Sequence, residues 1–433
     1  MLTIQNALVY LENQLQTWQY IGTAEQGLYA TYKSNQKRCD SYDNSLLVNA
    51  LLMLQPSEPH PIILKILNFF YGSYQYILNN SDIQLIAAAY TVDDQNNIDI
   101  CNEDCDAQDV GNNSLILIAV AKFCHIFPNH EMTPNFLTMI EFFISKINEI
   151  KKTCPNLNIV GYARRTNKES ISTEHMIDLY ALSNICLALP LNEVTMGILQ
   201  EMNENTRLFV IAMWIPNENR YLIGTSETCD LNMSSPQPVD TITWNILANA
   251  DENEERSTLA LQYVCANFIT VDPPGIKFSI DATCPQYENT GSFLCSLKAY
   301  ELQYNKIFTC IGIDKMFTFL LEQINTNKPI QGAYNANCET GLGWSYYTDG
   351  HLASTIYCLL AVTDDPFLNI YQLTTFEDLP SLVDCLEEKN EILYLQKKSS
   401  KFKILTIVGF VIACILGILL LLFIFSRRFV KKN

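Results

Sequence analysis

Apolar residues follow two alternating patterns along the first 365 or so residues of this chain. In segments such as 45–54 and 114–123 nearly every position is apolar, so a helix formed there must be covered on all sides. In segments such as 63–78 and 136–147 the apolar residues recur every three or four positions, which is typical of an amphipathic helix. The alternation predicts an all-α domain in which each buried helix is followed by a helix with one apolar face.

The amphipathic helices are expected to begin at recognisable capping residues. Thr133 is the predicted N-cap of one helix, with Pro134 as its first residue, and Asp314 is the predicted cap of another. The predicted amphipathic segments are residues 4–20, 63–78, 133–147, 192–214, 255–268 and 314–324.

Each apolar helix begins with a short polar stretch, and the spacing of these stretches is regular. Asp43, Asp109, Glu174 and Asp240 are 66, 65 and 66 residues apart, and Glu288 and Trp344 follow after 48 and 56. A repeated helical hairpin is also found in open solenoids. The alternation of buried and amphipathic helices favours a closed ring instead, with six inner helices shielded by six outer ones and the polar stretches gathered at one mouth.

The polar stretches themselves carry a resemblance to a known family. They are Tyr42-Asp43-Asn44, Asp109 to Asn112, Ser172-Thr173-Glu174-His175, Asp240 to Trp244, Tyr287 to Thr290 and the Gly/Trp/Tyr-rich stretch from Gly341 to His351. This set resembles the six-hairpin glycosidases, the (α/α)6 toroids, over roughly residues 1–370. The resemblance implies a carbohydrate-acting enzyme, although related toroids include epimerases, lyases and cyclases. Zinc-dependent cyclases need a Cys/His cluster, which this sequence does not offer.

Glycoside hydrolysis requires one carboxylic acid and one carboxylate near the scissile bond. Crowding several carboxylates at one mouth pushes their pKa values apart, which favours one protonated acid beside an ionised base. We expect Glu174 and Glu288 to be the catalytic pair, with Asp43 and Asp109 as the next candidates. Within the Glu174 stretch, Thr173 is the predicted N-cap.

Sugars also need flat apolar faces and hydrogen-bonding groups. The candidate ligand-binding residues are Tyr42, Asn44, Asn112, Arg164, His175, Asp178, Asp240, Trp244, Tyr287, Trp344, Tyr346 and His351. Each has a simpler interpretation, because an acid at a helix start is usually a cap and an aromatic residue on a helix is usually core. The regular recurrence of these stretches favours a shared site. No metal or cofactor is predicted.

The C-terminal region has a different composition. Ile404 to Phe425 is an uncharged run of 22 residues flanked by eight Lys and Arg residues, long enough to span a hydrocarbon core of roughly 30 Å. We therefore predict a toroid over 1–370, an acidic stalk and basic juxtamembrane linker over 371–403, a transmembrane helix over 404–425 and a short basic tail over 426–433.

Small residues recur within the predicted span. Gly409, Ala413 and Gly417 lie at every fourth position, a spacing that allows two helices to pack as a homodimer, although small residues are common in membrane spans. Because the N-terminus has no basic region typical of a signal peptide, the simplest topology is a tail anchor with a cytosolic domain. If the chain is viral, a virion envelope is the alternative.

Charge and cysteine content bear on nucleic-acid binding, zinc binding and the redox state of the thiols. Without residues 397–433 the chain has 20 basic and 46 acidic residues, a net charge of −26, which argues against nucleic-acid binding. The fifteen cysteines show no zinc-site spacing, and those at 124, 186, 265 and 358 are expected to be buried free thiols.

The sequence thus predicts a membrane-anchored glycosidase-like protein with mostly reduced thiols. The alternative is an inactive toroid that binds carbohydrate or serves as a structural membrane or envelope protein.

Overall fold

A computed structural model describes residues 1–34, 38–80, 84–92, 98–100, 107–166, 169–233 and 236–373. The helices of these ranges belong to one compact unit, Met1–Thr374. Within the same ranges no helix is both long enough and apolar enough to cross a bilayer. The predicted span over 404–425, the tail and the possible dimer contact through Gly409, Ala413 and Gly417 lie outside the described residues and stay predictions.

Twelve α-helices in the described part of the chain form two concentric layers. The outer helices are α1 (Ile4–Leu15), α3 (Pro61–Leu78), α5 (Thr133–Glu149), α7 (Glu193–Ala212), α9 (Glu254–Asn267) and α11 (Ile313–Asn325). The inner helices are α2 (Ser41–Leu54), α4 (Val110–Ile126), α6 (Thr173–Cys186), α8 (Asp240–Ala248), α10 (Tyr287–Tyr304) and α12 (Leu352–Val362). Each inner helix packs on the next, and α12 packs on α2. The ring is closed, so the predicted (α/α)6 toroid is confirmed.

Polar residues inside the buried inner helices bond to their own backbone. The Ser45 hydroxyl donates to the Ser41 carbonyl, and the Ser114 hydroxyl donates to the Val110 carbonyl, both at 2.7 Å. Such bonds to the preceding turn satisfy a hydroxyl without a partner from another element. Gly291 permits a close approach of α10 to α12, because a Cβ there would lie 2.6 Å from the Cys358 backbone nitrogen.

Short antiparallel strands connect the helices, and the sequence did not predict them. They form the pairs β1 (Tyr20–Gly22) with β2 (Gly27–Tyr29), β6 (Lys151–Cys154) with β7 (Ile159–Tyr162), β8 (Ile171–Ser172) with β11 (Gly224–Thr225), β9 (Trp214–Ile215) with β10 (Arg220–Tyr221), and β15 (Cys338–Glu339) with β16 (Ser345–Tyr346). Three-stranded sheets are formed by β3 (Arg38–Asp40), β4 (Ala89–Val92) and β5 (Ile98–Ile100), and by β12 (Ile269–Val271), β13 (Pro274–Lys277) and β14 (Pro285–Gln286). Strands β3, β8 and β14 run directly into inner helices, so they fix where those helices begin.

Several predicted helix ends need correction. Helix α1 ends at Leu15 rather than at residue 20, because the chain turns so that the Trp18 indole donates to the Ala30 carbonyl at 2.7 Å. Thr133 is the first residue of α5 and not its cap, because its hydroxyl donates to the Phe127 carbonyl at 2.8 Å.

Two further caps were also assigned wrongly. Thr173 lies within α6, whose N-cap is Ser172, and its hydroxyl donates to the Leu222 carbonyl at 2.6 Å. Asp314 lies in the first turn of α11, which follows Gly312 at φ +101°. A residue at that φ is most easily a glycine. In both cases the residue at the N-cap position is a neighbour of the one predicted.

Three disulfides among the described residues correct the expectation of mostly reduced thiols. They join Cys154 to Cys229, Cys265 to Cys310 and Cys284 to Cys338. Cys265 was expected to be a buried free thiol, whereas the cysteines at 124, 186 and 358 are free and buried as predicted. The partners are 75, 45 and 54 residues apart, and only the fold brings them together.

After α12 the chain turns back into the ring through residues 364–373, which we call the closing segment. It contacts the C-terminal ends of two inner helices: the Asn369 amide donates to the Leu247 carbonyl of α8 at 2.8 Å, and the Lys122 ammonium of α4 donates to the Asn369 carbonyl at 2.9 Å. Tyr371, the first residue of the predicted stalk, is 1% exposed. The closing segment therefore fills the end of the ring opposite the polar helix starts.

Candidate active site

Carboxylates from five of the inner helices interact at the mouth of the ring. Asp109 is the N-cap of α4 and accepts from the Asn112 backbone N–H at 2.8 Å and from the Asn112 amide at 2.6 Å. The charge of Glu288 acts on Asp43, Glu174 and Asp240. The acids that the sequence placed at separate helix starts therefore form one electrostatic cluster.

Glu288 is held by two tyrosine hydroxyls. Tyr42 donates to its Oε1 at 2.6 Å and Tyr346 donates to its Oε2 at 2.7 Å. Burial raises the pKa of Glu288, and the two hydroxyl donors act in the opposite direction. Donors on both oxygens stabilise the ionised form and fix the orientation of the carboxylate. The pairing of Tyr42, Tyr346 and Glu288 joins three of the predicted site residues.

Glu174 differs from the buried Glu288 because its side chain is partly exposed. Burial raises its pKa to about 7; Arg164 lowers it, and Asp109 and Glu288 raise it further. A carboxyl group with a pKa near neutrality is suited to general acid catalysis. Arg164 is exposed, and its charge acts on Glu174; its predicted contact with a ligand stays a prediction.

Three further carboxylates are almost completely buried. Burial raises the pKa of Asp43, Asp178 and Asp240 well above the ordinary value, with neighbouring carboxylates adding to the shift. Each has one oxygen without a hydrogen-bond partner among the described residues: Oδ2 of Asp43, Oδ2 of Asp178 and Oδ1 of Asp240. Because an unpartnered buried charge is costly, these groups favour their protonated forms.

His175 lies against the start of α4. A Cβ at Gly111 would come within 2.6 Å of His175 Cδ2 and 3.3 Å of Asp178 Oδ2, so glycine is needed for this approach. Burial lowers the pKa of His175 to about 4. The imidazole is therefore neutral at neutral pH and suited to hydrogen bonding rather than to ion pairing.

The aromatic candidates fall into an inner and an outer group. Trp244 is buried between Tyr42 and Tyr371, with ring centroids 5.9 Å from each. Trp344 is 46% exposed and packs against Tyr346 at 4.9 Å. Trp344 is therefore the aromatic surface open to a ligand, and Trp244 is part of the packing below it.

The structure gives three other candidates packing or capping contacts. Asn44 bonds through its side chain to the backbone N–H and carbonyl of Tyr29, at 2.8 and 2.9 Å. Tyr287 turns outward and stacks on Phe319 of α11 at 5.2 Å. His351 caps α12 and bonds to Ser354 at 2.9 Å. Asn44 and Tyr287 therefore have structural contacts, and their predicted ligand contacts stay predictions. His351 Nε2 lies 4.0 Å from Asp43 Oδ1.

Tyr371 was missed as a site residue. Its hydroxyl donates to Asp178 Oδ1 at 3.0 Å, although it lies beyond the last inner helix. The only signal in the sequence is the short, mostly apolar stretch from Phe367 to Tyr371, which is too short to show a helical period. Within the described ranges, no group of three His, Cys, Asp or Glu side chains has the geometry to hold a metal ion.

Comparison with known proteins identifies the fold. Neither a protein-family model nor a curated protein matches the sequence. Among solved structures, a reducing-end xylose-releasing exo-oligoxylanase aligns over 86% of this chain and 94% of its own, with 10% identity and a TM-score of 0.54. An inactive variant of the alpha-1,6-mannanase GH76A of Salegentibacter sp. HEL1_6, in complex with alpha-1,6-mannotriose, aligns over 84% and 99%, with 9% identity and a TM-score of 0.54. The fold is that of glycosidase toroids. A further structure described as a glycosidase aligns over 84% and 98%, with 9% identity and a TM-score of 0.58.

Proposed function

We propose that this protein is a glycoside hydrolase that acts on an oligo- or polysaccharide at the mouth of the toroid. One observation carries the proposal: Glu174 is partly exposed with a pKa of about 7, and the charge of Glu288 contributes to raising that pKa. Two carboxyl groups in different environments, one favouring its proton and one held by hydroxyl donors, are what acid/base catalysis needs.

In this proposal Glu174 protonates the leaving glycosidic oxygen. Glu288, oriented by Tyr42 and Tyr346, acts as the nucleophile or as the base that activates water. Trp344 offers an exposed ring on which a sugar can stack. The solved toroids described as a xylanase and a mannanase support this reading through their fold.

The second candidate is a toroid that binds carbohydrate without cleaving it. Glu288 is 7% exposed and both of its oxygens already accept hydrogen bonds. An open surface depression of about 650 Å³ lies elsewhere, lined by Glu252, Glu254, Tyr300 and Lys306. A catalytic carboxylate that stays covered by two tyrosines cannot reach a sugar carbon, so this candidate predicts binding without turnover.

A panel of polysaccharides scored for both binding and cleavage distinguishes the two candidates. For any glycan that is cleaved, Glu174→Gln and Glu288→Gln are each expected to lower kcat by at least about 10²-fold, the usual scale of acid–base catalysis. The matched control is Glu193→Gln, which alters an exposed carboxylate in the first turn of α7 and should leave kcat unchanged. Binding with no cleavage of any glycan favours the inactive toroid. Near-normal turnover of either site variant removes that residue from the mechanism.

We also propose that the domain faces an oxidising compartment. Three disulfides among the described residues of the toroid support this over the cytosolic orientation expected from the sequence, because reducing compartments keep such cysteines as thiols. Attachment to a membrane through residues 404–425 remains part of the proposal.

A further inference from the structure

Five rings form a continuous row at the mouth of the toroid, which we call the aromatic row. Trp344 packs on Tyr346 with ring centroids 4.9 Å apart, and Tyr346 packs on His351 at 5.5 Å. His351 then packs on Tyr32 at 4.7 Å, and Tyr32 packs on Tyr347 at 5.4 Å. The row therefore joins the loop after β2 to the segment between α11 and α12.

The middle of the aromatic row lies on the carboxylates of the candidate site. The Tyr346 hydroxyl donates to Glu288 Oε2 at 2.7 Å, and His351 Nε2 is 4.0 Å from Asp43 Oδ1. Tyr346, His351 and Tyr32 are all buried. These three rings support the site from within, and their faces are already covered by protein.

The two ends of the row are open to solvent. Trp344 is 46% exposed and Tyr347 is 42% exposed. Backbone hydrogen bonds hold both positions: the Trp344 carbonyl accepts from the Thr340 backbone N–H at 3.0 Å and from its hydroxyl at 2.8 Å, and the Tyr347 carbonyl accepts from the Ala333 N–H at 2.9 Å. A ring already packed on its neighbour, on a bonded backbone, loses little conformational entropy when a ligand covers it.

We propose that Trp344 and Tyr347 are two sugar-stacking positions at opposite ends of the aromatic row, so that the preferred ligand is a carbohydrate chain long enough to contact both rings. The class of ligand rests on the proposed function, whereas the placement of the two rings does not. Tyr347 thereby becomes a second ligand-binding position beside Trp344, and the length of the ligand becomes a source of specificity.

The chemistry of the surface favours a neutral carbohydrate as the occupant. An aromatic ring offers a flat apolar face to the apolar side of a sugar. The chain without residues 397–433 has a net charge of −26, which repels anionic ligands. Because one sugar unit stacks on one ring, only a chain of linked sugars gains from both.

The test measures how affinity depends on ligand length. Linear neutral oligosaccharides of the xylose, mannose and glucose series, from the monosaccharide to the hexasaccharide, are titrated into the full chain by calorimetry. In a series that binds, the affinity of the native protein should rise with length. Tyr347→Ala and Trp344→Ala should each weaken binding of the longest ligand by about tenfold, the scale of one lost aromatic contact, and leave the shortest bound ligand nearly unchanged.

Three further variants separate stacking from packing. Tyr347→Phe keeps the ring and should bind like the native protein. Tyr347→Leu keeps apolar bulk against Tyr32 but has no flat face, and should lose the gain from length as Tyr347→Ala does. Tyr76→Ala is the matched control, because Tyr76 is 56% exposed on the outer helix α3, and it should leave every affinity unchanged.

Several outcomes would overturn the proposal. Native affinity of Tyr347→Ala for the longest ligand shows that this ring does not contact it, and an equal loss at every length indicates a structural role instead. A protein that binds none of the three series contradicts both this proposal and the proposed function. Length-dependent binding without cleavage contradicts hydrolysis alone, and cleavage without any dependence on length contradicts the two stacking positions alone.

Discussion

Glu174 and Glu288 show how two chemically identical side chains acquire different tasks from their surroundings. Both are pushed towards the protonated state by burial. At Glu288 two hydroxyl donors oppose this rise in pKa, whereas at Glu174 the positive charge of the exposed Arg164 opposes it. Hydrogen bonds fix the orientation of a carboxylate as well as its charge, so Glu288 is held rigidly while Glu174 keeps its proton near neutral pH.

The raised pKa of Glu174 predicts a pH dependence of stability. Its folded pKa of about 7 lies above the ordinary value of 4.5, so its contribution to stability is complete below about pH 4.5 and is lost as the pH rises through 7. Gln resembles the protonated acid at all pH values. The Tm of Glu174→Gln, relative to the native protein, should therefore rise between pH 5 and pH 8. The control Glu193→Gln should follow the native curve, and a parallel curve for Glu174→Gln would count against the raised pKa.

At the scale of elements, the hairpin of β15 and β16 links a disulfide to the site. Cys338 lies opposite Tyr346 in the register of the hairpin, and Cys338 is joined to Cys284. Both cysteines and Tyr346 belong to a small apolar cluster with Phe278. This cluster is separate from the main core, so the disulfide is the covalent support for the tyrosine that bonds Glu288.

Removing this disulfide should therefore affect ligand binding as well as stability. Cys284→Ala combined with Cys338→Ala should lower stability by about 2–4 kcal/mol, as for loops of this size, and should weaken binding of any glycan that the native protein recognises. The matched control is Cys265→Ala with Cys310→Ala, whose bridge joins α9 to the loop before α11. We expect it to lose similar stability with unchanged affinity, measured by calorimetry. Equal affinity in both variants would show that the hairpin does not need its bridge to place Tyr346.

At the scale of the whole molecule, the ring was predictable because its two signals are periodic. A stretch that is apolar on every face, repeated about every 66 residues up to Asp240, requires a second layer around it. The pairing of Glu288 with Tyr42 and Tyr346 was not predictable in the same way, because it joins residues 246 and 58 positions apart. The contact of Tyr371 with Asp178 could not be predicted for a related reason. The two residues are 193 positions apart, and Tyr371 lies in a segment with no helical period.

The disulfides have consequences for the whole chain that the native protein can reveal. Six cysteines are paired in the described residues, while Cys39, Cys124, Cys186, Cys295 and Cys358 are free and buried. Protein taken from its natural source, denatured and labelled with a thiol-reactive mass tag, should gain at least six further tags when a reductant is added first. That gain is expected only if the toroid resides in an oxidising compartment. An equal number of tags with and without reductant would indicate that the domain lies in a reducing compartment. That result would favour the cytosolic orientation expected from the sequence.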